Sequence, residues 1–288
     1  MDTFLNVLIG GLLIGGIYAL ISMGLSLQYG VARVLNIAHG EFLVLGAFIT
    51  FWLNLRGVNP LVTMLVVAPL LFIVGFIVYR TIFTYIRNKS GHPGIYESNS
   101  MLAAFGLLFI IQNVAIIIWG TSVNGYQYLN TSVDILGSLF AANRLVAVAF
   151  AIAIGLAFYF FLSVTRTGKA IRAAAQDPAT AGLMGVNINF VLALCFGFGA
   201  AMSGVAGSLI SMCYSIQTTM GLQYTVIAIV VVVMGGLGNI PGSFIGGFIL
   251  GIIGTAVSYW EPGLPLAAYY LIFVLLLILR PKGILGKQ

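Results

Sequence analysis

Nine apolar runs, at about 4–29, 42–55, 61–79, 101–119, 145–164, 190–209, 222–237, 244–259 and 264–279, fill this chain and carry almost no charge. Such runs are stable only away from water, and lipid leaves an open backbone no way to satisfy its polar groups except a helix or a closed barrel. Continuous hydrophobicity over these lengths reads as helix. Charged residues make up 6% of the 288 and hydrophobic residues 61%, whereas soluble domains carry roughly 25% charged. The expected fold class is therefore all-α, a polytopic membrane protein of eight or nine transmembrane helices forming one transmembrane domain over residues 1–288. Several runs fall short of the ~20 residues of a simple crossing, so broken or re-entrant helices are expected there. The first run is not expected to be a signal peptide. Asp2 is the only charge before Arg33, and the run outlasts a usual h-region.

Basic residues set the expected orientation. Arg80, Arg87 and Lys89 follow the third run, Arg166, Lys169 and Arg172 the fifth, and Arg280, Lys282 and Lys287 the last. The positive-inside rule puts all three clusters and Arg33 on the cytoplasmic side, leaving Arg56 and Arg144 outside. The expected topology is N-out, C-in. Trp52, Trp119 and Trp260 fall near run ends, where interfacial tryptophan belongs. The net charge of +6 follows this topology and does not point to nucleic acid. Cys195 and Cys213 have no metal-ligand spacing and read as small packed hydrophobes.

Three segments interrupt the apolar pattern. The first, residues 24–41, holds Arg33, Asn36, His39 and Glu41 within nine positions, although a charge at a helix centre costs about 2.5–3.5 kcal/mol on insertion scales. At 1.5 Å per residue the run before it is roughly 39 Å long, longer than a hydrocarbon core, with Gly24 and Gly30 as places to bend. The segment reads as a polar helix–turn–helix hinge near the inner face. Asn36 and His39 hold the turn, and Glu41 starts the next span.

The second, residues 165–187, reads as two short helices. Lys169 to Gln176 is rich in alanine, the best helix former. Asp177 is an N-cap with Pro178 at N1, and Gly185 is placed as the C′ residue. A solvated loop with topogenic arginines is one reading; two ordered helices with small faces at Ala173 and Ala174 favour docking to a cytoplasmic protein. The third, residues 234–247, is rich in glycine and has Pro241. Asn239 is placed to cap or turn, and Gly242/Gly246 and Gly247/Gly251 are spaced for close helix packing.

Sites for chemistry are missing from the sequence. Gly168-Lys169 is followed by Ala170 and has no upstream glycine at Walker A spacing, so the chain has no phosphate cradle of its own. No His-Glu-x-x-His, Cys-x-x-Cys or Gly-x-Ser-x-Gly occurs. His39 and Glu41 alone are too few for an acid–base pair. Neither enzyme activity nor a bound metal is expected.

Gly24-Leu25-Ser26-Leu27-Gln28-Tyr29-Gly30 through Asn36-Ile37-Ala38-His39-Gly40-Glu41-Phe42, then Gly168-Lys169-Ala170-Ile171-Arg172-Ala173, and Gly235-Gly236-Leu237-Gly238 with Pro241-Gly242 resemble permease subunits of branched-chain amino acid ABC importers. The likeness covers nearly the whole chain. It implies a multi-pass subunit of the inner (plasma) membrane, paired with a like or homologous second permease. Two cytoplasmic ATPase subunits would bind ATP and Mg, so no cofactor is expected in this chain. An extracytoplasmic binding protein would deliver leucine, isoleucine or valine. The resemblance also implies that the second segment is the coupling element seated on the ATPase, with Lys169, Arg172, Ala173, Ala174, Asp177 and Gly185 as its residues. Gln28, Asn36, His39, Glu41 and Asn239, with Ser26, are the polar groups expected to gate or line the path. Permeases for urea or short-chain amides look similar. An ion-coupled secondary transporter would keep an ionisable residue deep in a span, and a membrane scaffold would transport nothing.

Overall fold

A computed structural model describes residues 2–135, 138–280 and 283–284; Lys282 and Lys287 of the basic tail lie outside them. Each apolar run becomes a helix: α1 (Asp2–Ala32), α2 (His39–Leu55), α3 (Pro60–Val78), α4 (Thr84–Lys89), α5 (Pro93–Trp119), α6 (Ala142–Val164), α7 (Arg166–Gln176), α8 (Pro178–Leu183), α9 (Ile188–Cys213), α10 (Gly221–Gly235), α11 (Ile240–Trp260) and α12 (Pro265–Leu279). Among the described residues six helices are long and apolar enough to cross a membrane: α1, α3 with α4, α5, α6, α9 and α11. The apolar helices α2, α10 and α12 are shorter. Broken spans were expected, and two of these three short helices supply them.

Local sequence explains the helix starts. Asn59 accepts a hydrogen bond from the Leu61 N–H at 2.9 Å beside Pro60, and Asn239 accepts one from the Gly242 N–H at 3.1 Å beside Pro241. Both are side-chain N-caps followed by a proline that gives up no bonded donor. The third run does not end at Tyr79. It passes through a π-helical turn, Tyr79–Phe83, into α4, so Arg80, Arg87 and Lys89 lie on the helix itself. The wider π turn brings Tyr79 and Phe83 together inward, with ring centroids 5.8 Å apart, both packed on Phe196.

Helix α1 runs without a break at Gly24 or Gly30. Both lie where another backbone approaches: a methyl on Gly24 would stand 2.8 Å from the Gly199 carbonyl, and one on Gly30 2.8 Å from the Gly238 Cα. Gly247 and Gly251 of α11 press on α1 in the same way, while Gly242 and Gly246 face α10. The two small-residue spacings therefore serve two different neighbours. In the lipid-facing part of a bundle such close approach replaces the hydrophobic drive that water would supply.

Helix α11 runs antiparallel along α1, with Ile252 beside Gly11 and Gly247 beside Ala19. Helix α3 runs antiparallel along α9 in the same manner, with Val67 and Leu71 beside Gly204 and Phe72 beside Gly197. Helices α1 and α9 are antiparallel to each other, pairing Gly24 with Gly199 and Gln28 with Phe196. The series α1, extended segment, α2, α3 is thus repeated in opposite direction by α9, extended segment, α10, α11. This inverted arrangement is the architecture that transporters use to place half-helices in the middle of a bundle.

One element departs from an all-helical chain. Between α5 and α6, β1 (Ser132–Ile135) and β2 (Ser138–Ala141) pair antiparallel. Asn124 and Ile216 form a further bridge that ties this connection to the segment after α9. Cys195 is buried and Cys213 half-buried, and both are free.

Candidate functional site

The extended segments 33–38 and 214–220 bring the first turns of α2 and α10 together. Arg33 ends α1 in the left-handed region at φ 54°, and the chain then turns back along α1. His39, the first residue of α2, donates from Nε2 to the Ile21 carbonyl at 2.9 Å. Ser203, midway along α9, donates to the His39 carbonyl at 2.8 Å. The Gly40 N–H donates to Thr225 Oγ1 of α10 at 2.8 Å, and that hydroxyl in turn faces the Ile37 carbonyl at 3.0 Å. A methyl on Gly40 would stand 1.9 Å from the Gly221 carbonyl. Two helix N-termini, pointing in opposite directions, meet there.

Glu41 lies in the first turn of α2, fully buried, with neither carboxyl oxygen hydrogen-bonded. It packs on Gly221, where α10 begins without a side-chain cap. The first turn of a helix favours negative charge, and this carboxyl lies against the first residue of α10. His39 and Glu41 were expected near the inner end of α1. They sit instead against its middle, because the segment after Arg33 runs back into the bundle before helix resumes.

Gln28 and Asn36 form a latch beside this junction. Asn36 Nδ2 donates to Gln28 Oε1 at 3.2 Å, Gln28 Nε2 donates to the Phe196 carbonyl at 3.1 Å, and Asn36 Oδ1 accepts from the Ala38 N–H at 3.1 Å. Asn36 therefore holds the turn, as expected; His39 holds α2 to α1. Asn239 caps α11.

The other site is α7 with α8. Asp177 accepts from the Ala179 N–H at 2.9 Å and from the Thr180 hydroxyl, and Gly185 closes α8 at φ 87°. The Thr180 hydroxyl beside Asp177 holds its carboxyl below the usual aspartate range. The two-helix reading of the sequence is thus the observed structure. The individual residues divide differently. Lys169 and Asp177 are exposed, Ala173 is half-buried and Ala174 is fully buried. Arg172 donates to the carbonyls of Leu162 at 2.7 Å and Ser163 at 3.2 Å, so it fastens α7 to the end of α6. Gly168 lies directly on the Leu162 backbone. At the end of α8, Leu183 and Met184 are 89% and 81% exposed, a pair of large apolar side chains after a run of small residues.

The three interrupting segments of the sequence converge on one cavity of about 290 Å³, walled by Ser26 and Gly30 of α1, Ile171 and Arg172 of α7, and Gly238 and Asn239 of the turn into α11. Sequence reasoning did not find Thr225, Ser203, Gly221 or the Leu183–Met184 pair. For Thr225 a signal existed, a small hydroxyl side chain at the start of an apolar run. For Gly221 there was none, since its importance depends on Glu41, 180 residues away. No cluster of three or more His, Cys, Asp or Glu that could hold a metal occurs among the described residues.

Residues 7–280 match the family model described as "Branched-chain amino acid transport system / permease component". The chain is similar to the high-affinity branched-chain amino acid transport system permease protein LivH of Escherichia coli (strain K12), at 31% identity over 99% of this chain and 96% of the relative. It is 30% identical to LivH of Salmonella typhimurium and 29% identical to BraD of Pseudomonas aeruginosa, each over 99% of this chain and 96% of the relative.

Proposed function

The chain belongs to the branched-chain amino acid transport permease family, and on that premise we propose that it is the membrane-spanning subunit of an ATP-driven importer of branched-chain amino acids. Residues 1–288 act as one permease domain in the inner (plasma) membrane, N-terminus outside and C-terminus inside. A second permease, like or homologous, completes the path. Separate ATPase subunits on the cytoplasmic side supply ATP hydrolysis, and an extracytoplasmic binding protein delivers the substrate.

The observation that carries this reading is the pair α7–α8, ordered, fastened to α6 through Arg172 and Gly168, and presenting Leu183 and Met184 to the outside of the protein. An exposed apolar pair at the end of a short capped helix suits a partner surface. Lys169, Ala173, Asp177 and Gly185 shape that surface, and Arg172 and Ala174 transmit its movement inward. Because α7 shares the 290 Å³ cavity with α1 and the turn into α11, a shift of α7 strains both. Helix α1 in turn carries the Ile21 carbonyl and Gln28, the partners of His39 and Asn36. Gln28, Asn36, His39 and Glu41 thus act as a gate that holds one arrangement until the ATPases move α7. A ligand-driven change needs differential contacts in its two states, and this junction supplies groups to exchange.

Reconstitution tests the reading. The chain, co-purified with its ATPase and second permease and supplied with binding protein, should hydrolyse ATP faster with leucine, isoleucine or valine and accumulate the amino acid in vesicles. Stimulation by urea or a short amide and not by these amino acids would overturn the substrate assignment. Uptake that collapses with the proton gradient and persists without ATP would overturn the class.

A further inference from the structure

We infer that the cavity lined by α1, α10, α11, α12 and the first turn of α6, at the end of the bundle opposite α7–α8, binds an aliphatic amino acid as a zwitterion on its way through the protein, with Arg144 receiving the carboxylate. The inference deepens the importer reading and rests on it. The cavity measures about 460 Å³, within the 300–1,000 Å³ range of small-molecule sites. Its character changes with depth. At the rim stand Arg144, from the first turn of α6, Tyr214 and Gln223; the guanidinium carbon of Arg144 lies 5.1 Å from the Tyr214 ring centroid. At the floor are Tyr18, Ile227 and Tyr269, all nearly fully buried. The rings of Tyr18 and Tyr269 meet edge to face at 6.1 Å. No Asp or Glu is among the described lining residues.

That gradient selects a class of ligand. A planar guanidinium recognises a carboxylate through paired N–H donors. Tyrosine faces and hydroxyls accept an ammonium group. An aliphatic side chain of a few carbons fills the floor between Tyr18, Ile227 and Tyr269 without burying a charge. A sugar would leave its hydroxyls unpaired against Ile227, which disfavours it. The floor depends on Gly254 of α11, since a methyl there would stand 1.8 Å from the Tyr269 hydroxyl. Gly254 thus sets how deep Tyr269 lies and how much room remains for the side chain.

The experiment uses the complete transporter in proteoliposomes with its ATPases, second permease and binding protein. Arg144→Gln should lower leucine uptake about tenfold or more, as loss of a charge-assisted contact predicts, while the complex still assembles and still binds its binding protein. Ile227→Ala should admit phenylalanine delivered at high concentration, and Ile227→Phe should abolish leucine uptake. Photo-leucine, a diazirine analogue, should label peptides containing Tyr18, Ile227 or Tyr269, and excess leucine should suppress the labelling. Unchanged uptake and selectivity in all three variants, or labelling confined to other helices, would overturn the inference and leave the importer reading standing. Loss of binding-protein association in Arg144→Gln, measured by co-sedimentation with the proteoliposomes, would assign that side chain to binding-protein docking, which also overturns it. A wild-type complex that takes up no branched-chain amino acid overturns both.

Discussion

The carboxyl group of Glu41 lies against the Cα of Gly221: a methyl there would stand 2.2 Å from Oε1 and 2.8 Å from Oε2. The contact joins the first turns of two half-helices and leaves no room for a larger residue. Gly221→Ala should therefore force Glu41 or α10 to move, lowering stability by about 1–3 kcal/mol as overpacking does. Glu41→Gln keeps the shape and should cost less. Thermal unfolding in lipid nanodiscs measures both, and a Gly221→Ala protein that melts like wild type would remove Glu41 from the junction.

Thr225 bridges the Gly40 N–H and the Ile37 carbonyl through one hydroxyl. Thr225→Val, of equal size, leaves both backbone groups buried without a partner. The expected loss is about 1–3 kcal/mol, with faster amide exchange at residues 37–41 as the local signature.

Arg172 occupies two carbonyls at the end of α6 with two of its N–H groups. Arg172→Ala should cost about 1–2 kcal/mol, given that the side chain stays partly exposed, and should uncouple ATP hydrolysis from uptake. Arg172→Lys should rescue incompletely, because a point charge cannot reproduce a planar fork. Equal uptake by wild type and Arg172→Ala would show that α7 does not need this fastening.

Leu183 and Met184 are exposed, whereas Ala174 is fully buried. Replacing Leu183 and Met184 by serine should weaken ATPase co-purification about tenfold or more without changing the melting temperature. Ala174→Asp should do the reverse, lowering the melting temperature through a buried charge. A stable Ala174→Asp protein that merely lost its ATPase would place α7 the other way round.

The Asp177 cap should also show in pH. Its pKa is held down by the Thr180 hydroxyl and the Ala179 N–H, so the folded state binds the proton less readily than the unfolded state. The stabilisation of α8 is then complete above the ordinary aspartate range and is lost as pH falls through the lowered pKa. Amide exchange at residues 179–184, corrected for intrinsic rates, should rise on acidification in wild type and be high and pH-independent in Asp177→Ala.

The helical, membrane-spanning character, the caps at Asp177 and Asn239, and the α7–α8 pair were legible in the sequence because each rests on local rules. Apolar length dictates helix where backbone cannot be solvated, and a capping residue bonds donors two or three positions away. Three features depended on the tertiary structure. The segment after Arg33 was read as a turn at the inner end of α1, yet it runs back to Ile21. Gly24 and Gly30 were read as bends, yet they are contact points for Gly199 and Gly238. Ala174 was read as a small face open to a partner, yet it is buried within the chain, and Arg172 bonds the end of α6 while remaining exposed. In the first two cases the deciding contact joins residues that no periodicity links: His39 with Ile21, Gly24 with Gly199 and Gly30 with Gly238. Composition determined that this chain enters a membrane as helices. Where two of those helices begin, and what meets at their ends, was decided by close packing of small residues far apart in the chain, which depends on shape and leaves no local pattern to read.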